Sequence, residues 1–166
     1  MTTFALRVAG GALLDVGSGP GRDGLLLTAQ GLTVTCLDAS HAMVTPRKER
    51  GLTAVEGDLL ALPFPDNSFQ GVWAYTSLLH VSKQTVGTAL EEIHRGLVPG
   101  GVFGLGMIEG EGECYQESSG VDMPRLFAYC GQEELEQLLL AHLFHIEYFE
   151  DFQSRSKQYL NYVCIP

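Results

Sequence analysis

Leu13-Leu-Asp-Val-Gly-Ser-Gly-Pro-Gly-Arg-Asp-Gly24 is the stretch that decides the fold. An apolar run over residues 12–16 stops at a cluster of glycines, and a helical pattern starts at Arg22. Gly17, Gly19 and Gly21 let the backbone turn tightly and come close to a ligand. The helix start behind them offers unpaired N–H groups to a carboxylate or phosphate. Asp15 ends the strand, where its carboxylate is placed to accept a hydrogen bond from a bound ammonium group.

Outward from this loop the pattern alternates. The spacing predicts a helix over 22–29, with Leu25, Leu26 and Ala29 on one face and Gly31 as its stop. Strands are expected over 33–37, 53–55, 70–75 and 101–108. A helix opens at Ser40 and is kinked or split by Pro46. Another runs from its cap Ser82 to about Leu97. Residues 109–125 are acidic and aperiodic, and read as a loop. A further helix follows over 132–141. Two closing strands, 144–149 and 158–165, flank a polar turn over 153–157 and form a hairpin. Repeated strand–helix units with near-continuous apolar strands imply an α/β fold with a mostly parallel sheet covered on both faces. The hairpin makes the last strand antiparallel. Ligands in such sheets lie at the carboxyl ends of the strands.

Two more acids stand at strand ends. Asp38 lies 21 residues after Gly17, the spacing at which a carboxylate takes the ribose hydroxyls of an adenosine. Asp58, in Gly57-Asp58-Leu59, is placed to accept from the exocyclic amine of adenine, and Met43 to pack on the ring. Each acid alone reads equally well as a helix cap or turn former. Together with the glycine loop they describe one adenosine-bearing cofactor site. Gly19-Pro-Gly21-Arg-Asp-Gly24 also matches the G-x-G-x-x-G pattern of nicotinamide-cofactor enzymes. Counted from the first glycine, Gly17, the third position of that pattern is Arg22. A dehydrogenase also needs a substrate domain that 166 residues do not supply.

Composition narrows the partners. Ten basic and twenty acidic residues give a formal net charge of -10, which disfavours nucleic acid and anionic membrane surfaces. No apolar run approaches a membrane span. The start reads as free of a signal peptide, and Cys36, Cys114, Cys130 and Cys164 are too scattered for a metal site, so they read as small buried apolar residues. A cytoplasmic protein with a small-molecule substrate, acting as a monomer or homodimer, is the expectation.

The chain resembles the class I S-adenosylmethionine-dependent methyltransferases, in the small methyltransferase-domain group. The resemblance covers residues 12–165. It rests on the opening stretch, on Leu37-Asp-Ala-Ser-His-Ala-Met43, Gly57-Asp-Leu-Leu-Ala-Leu-Pro-Phe64, Gly71-Val-Trp-Ala-Tyr-Thr-Ser-Leu-Leu-His-Val81 and Leu97-Val-Pro-Gly-Gly101. It implies one domain over 1–166, a Rossmann-like three-layer sandwich whose seven-stranded sheet has one antiparallel strand, with S-adenosylmethionine as cofactor. Gly17, Ser18, Gly19 and Gly21 would face the methionine part, Arg22 its carboxylate, Asp38 with Ala39 the ribose, and Asp58 with Leu59 the adenine. Ala74 on the fourth strand completes that set. The family has a longer helical cover before the first strand, Asp where this chain has Gln70, and Gly where it has Leu143. The short start predicts an open site with about micromolar cofactor affinity or weaker.

Methyl transfer from a sulfonium is an in-line displacement, helped by positioning and exclusion of water. A base is needed only when the acceptor must lose a proton. Tyr75 and His80, at and just past the end of the fourth strand, are the catalytic candidates. Arg125 and Tyr129 match a recurring Arg…Tyr pattern in similar proteins and are the substrate candidates. A non-catalytic cofactor-binding domain and a nicotinamide-dependent oxidoreductase are the competing readings.

Overall fold

The computed structural model describes residues 1–8, 10–117 and 123–166, with the side chains of Met43 and Val44 outside the described set. Seven strands form one sheet in the order β3-β2-β1-β4-β5-β9-β8. In chain order these are β1 (Ala12–Val16), β2 (Thr33–Asp38), β3 (Thr53–Glu56), β4 (Phe69–Tyr75), β5 (Leu97–Ile108), β8 (His145–Ser154) and β9 (Lys157–Ile165). β1 to β5 pair in parallel, and β9 is antiparallel to both β5 and β8. The Rossmann-like sheet with one reversed strand is therefore present as expected.

Alternation along the strands divides the core between two faces. Leu13, Val34, Cys36 and Trp73 pack beneath α1 (Thr2–Arg7) and α2 (Arg22–Ala29), together with Phe4 and Leu27. Leu14, Val16, Val72 and Ala74 face the other layer, which includes α4 (Val86–Gly96) and α5 (Gln132–Ala141). α4 buries Val86, Ala89, Leu90 and Ile93, the three-and-four spacing of one apolar stripe. α3 (His41–Glu49) follows β2. No described helix is long and apolar enough to cross a membrane.

Several local expectations change. In α2 the inward residues are Gly24 and Leu27, while Leu25, Leu26 and Ala29 are exposed. A Cβ on Gly24 would lie 2.6 Å from the Cys36 sulfur, so the helix is seated through Gly24 and turns the next two leucines outward. Pro46 does not split α3, which runs through it to Glu49. Ser82 is not a helix cap: its carbonyl closes a turn with the Thr85 and Val86 N–H groups, and α4 starts at Val86. The expected 109–125 loop contains β6 (Glu113–Gln116), which pairs with β7 (Arg125–Ala128). The closing hairpin turns at Arg155-Ser156, because β8 extends to Ser154. Three cysteines are buried, but Cys114 is exposed.

Leu143 stands past α5 at φ 64. The Phe144 N–H reaches the Leu139 carbonyl and the Leu143 N–H reaches that of Leu140, the paired bonds of a helix end that favours glycine in the left-handed position. Leu143 is 67% exposed, so its side chain contributes little packing there. Leu143→Gly should raise stability by about 1 kcal/mol, as backbone strain of ~1–2 kcal/mol is relieved and partly offset by glycine's freedom in the unfolded chain. The urea midpoint checks this, and a lowered midpoint would show that the leucine side chain matters more than its backbone strain.

Candidate active site

A cleft of about 530 Å³ opens at the carboxyl ends of β1 to β4. Its lining includes Asp15, Gly17, Ser18, Gly19, Arg22, Asp38, Ala39, Asp58, Leu59, Tyr75, His80 and Arg125. Twelve of the sixteen side chains and glycines expected at the site thus converge on one space. Gly21 and Ala74 are buried outside the lining. Gly21 faces Arg47 and Leu52, and Ala74 points into the core layer beneath α4. Tyr129 stacks on Phe127 and accepts a hydrogen bond from Gln116, also outside the lining. The Met43 side chain lies outside the described residues.

The glycine loop is held from both sides. The Ser18 N–H donates to the Leu37 carbonyl and the Gly19 N–H to Asp38 Oδ2, at 3.0 and 2.8 Å. Asp38 Oδ1 accepts the Ser40 N–H at 2.9 Å. Asp38 therefore anchors the loop and the start of α3 while still lining the cleft, where its remaining lone pairs are available to hydroxyl donors. Asp58 Oδ1 accepts the Leu60 N–H at 2.9 Å, a short turn that fixes its carboxylate at the cleft edge. The turn-forming role and the cleft position coexist in both acids.

Arg47 was not anticipated. It is fully buried on α3, and its Nη1 donates to the Ser18 hydroxyl. Arg50, just past the end of the same helix, donates to the Pro20 carbonyl at 2.6 Å. A Cβ on Gly21 would lie 3.0 Å from Arg47 Cγ and 2.6 Å from a Leu52 methyl, at φ 79, so both backbone conformation and space demand glycine there. Asp15 is 2% exposed. Burial, with Asp23 as a second negative charge, pushes its pKa up to about 8, against the pull of Arg47 and of hydrogen bonds from Gly24 N–H and Cys36.

On the far side of the cleft β4 ends in a strained turn. Thr76 sits at φ 56, a conformation that costs a β-branched residue on the order of 1–3 kcal/mol. Its N–H donates to the Gly106 carbonyl, and the Ser77 carbonyl accepts the His80 N–H. His80 Nδ1 lies 2.7 Å from the Leu126 carbonyl on β7. A carbonyl only accepts, so Nδ1 carries the proton and Nε2 is the basic atom of the neutral ring. Burial lowers the His80 pKa, and the Arg125 charge lowers it further, against the opposing Leu126 bond. The Tyr75 ring is near-parallel to those of Trp73 and Tyr159, with centroids 5.7 and 6.4 Å away. Burial raises its hydroxyl pKa, so Tyr75 is a poor base and its ring an apolar wall. Thr76, Ser77, Val81 and Asp23 also line the cleft and were missed as site residues, although all four lie inside stretches already quoted. His41, His94, His142 and His145 are outside the lining.

The chain is similar in sequence and in fold to known methyltransferases. A sterol 24-C-methyltransferase of Gibberella zeae is 35% identical over 102 residues, covering 56% of this chain and 26% of that protein. A 27-O-demethylrifamycin SV methyltransferase of Amycolatopsis mediterranei is 34% identical over 107 residues, covering 59% of this chain and 39% of that protein. The chain thus spans well under half the length of these relatives. The crystal structure of the Burkholderia thailandensis 1,6-didemethyltoxoflavin-N1-methyltransferase, which holds 1,6-didemethyltoxoflavin and S-adenosylhomocysteine, superposes with a TM-score of 0.83 at 24% identity, covering 99% of this chain and 75% of that one. The sequence profile described as "Methyltransferase domain" matches residues 14–105. That segment is more than half of the chain and carries the ends of β1, β2, β3 and β4 that build the cleft. By that match, the chain belongs to the methyltransferase-domain family.

Proposed function

We propose that this chain is an S-adenosylmethionine-dependent methyltransferase that acts on a small molecule by in-line transfer. One observation carries the reading: a single cleft crosses the ends of β3, β2, β1 and β4 with Asp58, Asp38, the glycine loop and His80 in that order. Neighbouring strands are about 4.8 Å apart, so this is a span of ~14 Å, suited to an extended nucleoside joined to an amino acid. A Cβ placed on Gly19 would meet no protein atom within 4 Å, so the loop leaves a cradle at the middle of the span. The residues present fit the cofactor.

When bound, the cofactor supplies a methyl group on a positively charged sulfur, which departs as a neutral thioether. Asp58 and Leu59 hold the adenine, Asp38 the ribose hydroxyls, and Asp15 with Arg22 the charged amino-acid end. The Tyr75 ring and Val81 exclude water beside the β4 end. His80 Nε2 takes the proton of the acceptor where methylation requires its loss. Arg125, on β7 above His80, binds the acceptor, and Tyr129 supports β7 from outside the cleft. The cluster of acids at cofactor positions and the net charge of -10 keep nucleic acid a poor acceptor.

S-adenosylhomocysteine should raise the melting temperature of the chain, while NAD should not. Asp38→Ala removes the ribose acceptor at about 1–3 kcal/mol, so affinity should fall roughly 5- to 150-fold. It should also cost stability, as the Gly19 and Ser40 N–H groups lose their acceptor. Stabilisation by NAD alone would sink the reading, and unchanged affinity in the variant would leave Asp38 as a structural clamp only.

A further inference from the structure

A row of aromatic rings crosses the sheet and leads out of the cofactor cleft. Trp73 and Tyr75 lie on β4, Tyr159 on β9 and Phe152 on β8. Their centroids step by 5.7, 6.4 and 5.1 Å, with interplanar angles of 5, 5 and 8°. Glycines make the row possible. A Cβ on Gly104 would fall 2.4 Å from the Trp73 ring, and one on Gly106 would fall 2.2 Å from the Tyr75 ring, so both rings lie flat across β5. Trp73 is buried against Phe4 of α1, Tyr75 and Tyr159 are half-buried, and Phe152 is 42% exposed. The row thus passes from the core to the surface. Tyr75 belongs to the wall of the cofactor cleft, and Tyr159 to the wall of a second cavity of about 490 Å³ with Ser154, Arg155, Ser156 and Lys157. The paired tyrosine rings join the two spaces.

Charge selects what the far end of the row takes. Side chains alternate along a strand, so Lys157 stands on the same face of β9 as Tyr159, and Arg155 is in the adjoining turn. Neither makes an ion pair among the described residues. In a chain of net charge -10, two such cations beside exposed rings reverse the local charge. The nearby acids are occupied: Glu150 accepts from the Tyr148 hydroxyl and the Asn161 amide, and Asp151 from Gln158. Rings that lie flat on a sheet offer their outer faces for stacking, and a cation at the end of the row offers charge to an anion. We infer that Tyr75, Tyr159 and Phe152 seat the methyl acceptor, a flat aromatic molecule whose anionic group reaches Lys157 and Arg155. The Tyr75 end opens into the cleft that His80 also lines, which is where the reacting atom belongs. This rests on the methyltransferase reading of the cleft and names the acceptor class that the reading leaves open.

The test uses the chain saturated with S-adenosylhomocysteine and 2-naphthoate as the acceptor mimic. Its neutral counterpart is 2-naphthamide and its non-planar counterpart cyclohexanecarboxylate. Nuclear magnetic resonance follows binding through the tyrosine rings and the indole N–H of Trp73, the single tryptophan. The acid should bind roughly two- to fivefold tighter than the amide, and the non-planar acid more weakly than the flat one. Phe152→Ala should weaken 2-naphthoate roughly two- to tenfold and leave the affinity for S-adenosylhomocysteine unchanged. The double variant Arg155→Gln, Lys157→Gln changes only exposed turn residues, and it should bind acid and amide equally. No binding of 2-naphthoate, no preference for the flat acid or for the charged one, or no effect of Phe152→Ala would each overturn the inference. A dimer that Phe152→Ala dissociates would overturn it too, because the rings would then join two copies of the chain. Failure to bind S-adenosylhomocysteine at all would instead overturn the cofactor reading beneath it.

Discussion

Replacing His80 with Ala should lower methyl transfer by about 100-fold or more for an acceptor that loses a proton, the scale of a positioned general base. Cofactor affinity should stay close to that of the unmutated chain, because His80 lies beyond the stretch proposed to hold the nucleoside. The reason is the tautomer. With Nδ1–H given to the Leu126 carbonyl at 2.7 Å, the lone pair at Nε2 is the one basic position on the ring. The lowered pKa, from burial first and Arg125 second, keeps the ring neutral and able to accept a proton at pH 7. Turnover should therefore rise with pH through a value below the ordinary histidine range and then level off. His80→Asn tests positioning separately, since its amide retains a donor for Leu126 but supplies no base. A variant that keeps full turnover, or a pH profile unchanged by the substitution, would reduce His80 to a strut between β4 and β7.

Asp15→Asn should move stability and cofactor binding in opposite directions. The folded chain holds the Asp15 proton up to about pH 8, against an ordinary value of 3.8. Between those values the folded state binds more protons than the unfolded state, so this residue makes stability fall as pH rises. The penalty is absent below about pH 4 and complete above about pH 8. The uncharged Asn removes that slope, and the variant should be more stable than the parent by on the order of 3 kcal/mol at pH 8.5, with little difference at pH 4.5. Under the proposed cofactor placement, affinity for S-adenosylhomocysteine should fall at least tenfold, because Asn cannot give up a proton to meet the ammonium group as Asp15 would when the ligand binds. Melting curves across this pH range, with and without ligand, measure both effects. Equal stability of the two proteins at pH 8.5 would mean that Asp15 is ionised at little cost, with Arg47 compensating its charge.

The stretch from β1 into α2 was readable because its cues are local. A short apolar strand, three glycines and a helix start all lie within a dozen residues. Asp38 and Asp58 were readable as well, since each follows a short apolar strand and register places such ends side by side. The face of α2 was not readable. Leu25, Leu26 and Leu27 are all apolar, and only the close seat of Gly24 on Cys36 chooses Leu27 for the core. The β6–β7 hairpin was hidden for a related reason. β6 is exposed along its whole length and β7 is only partly buried, so neither shows the apolar alternation by which a strand is recognised.

By itself the sequence determined the α/β class, the glycine loop, and the acids that line one cleft, because the strand ends of a parallel sheet fall together whenever the strands pair in register. Only the tertiary structure decided how those groups are tuned. Arg47 reaches Ser18 across 29 residues, and His80 meets the Leu126 carbonyl across 46. Neither pairing leaves a mark in local spacing, since each depends on how a crossover returns the chain to the sheet. Burial did the rest: it raised the Asp15 pKa and lowered that of His80. Desolvation depends on everything that surrounds an atom, and a linear chain does not display its surroundings.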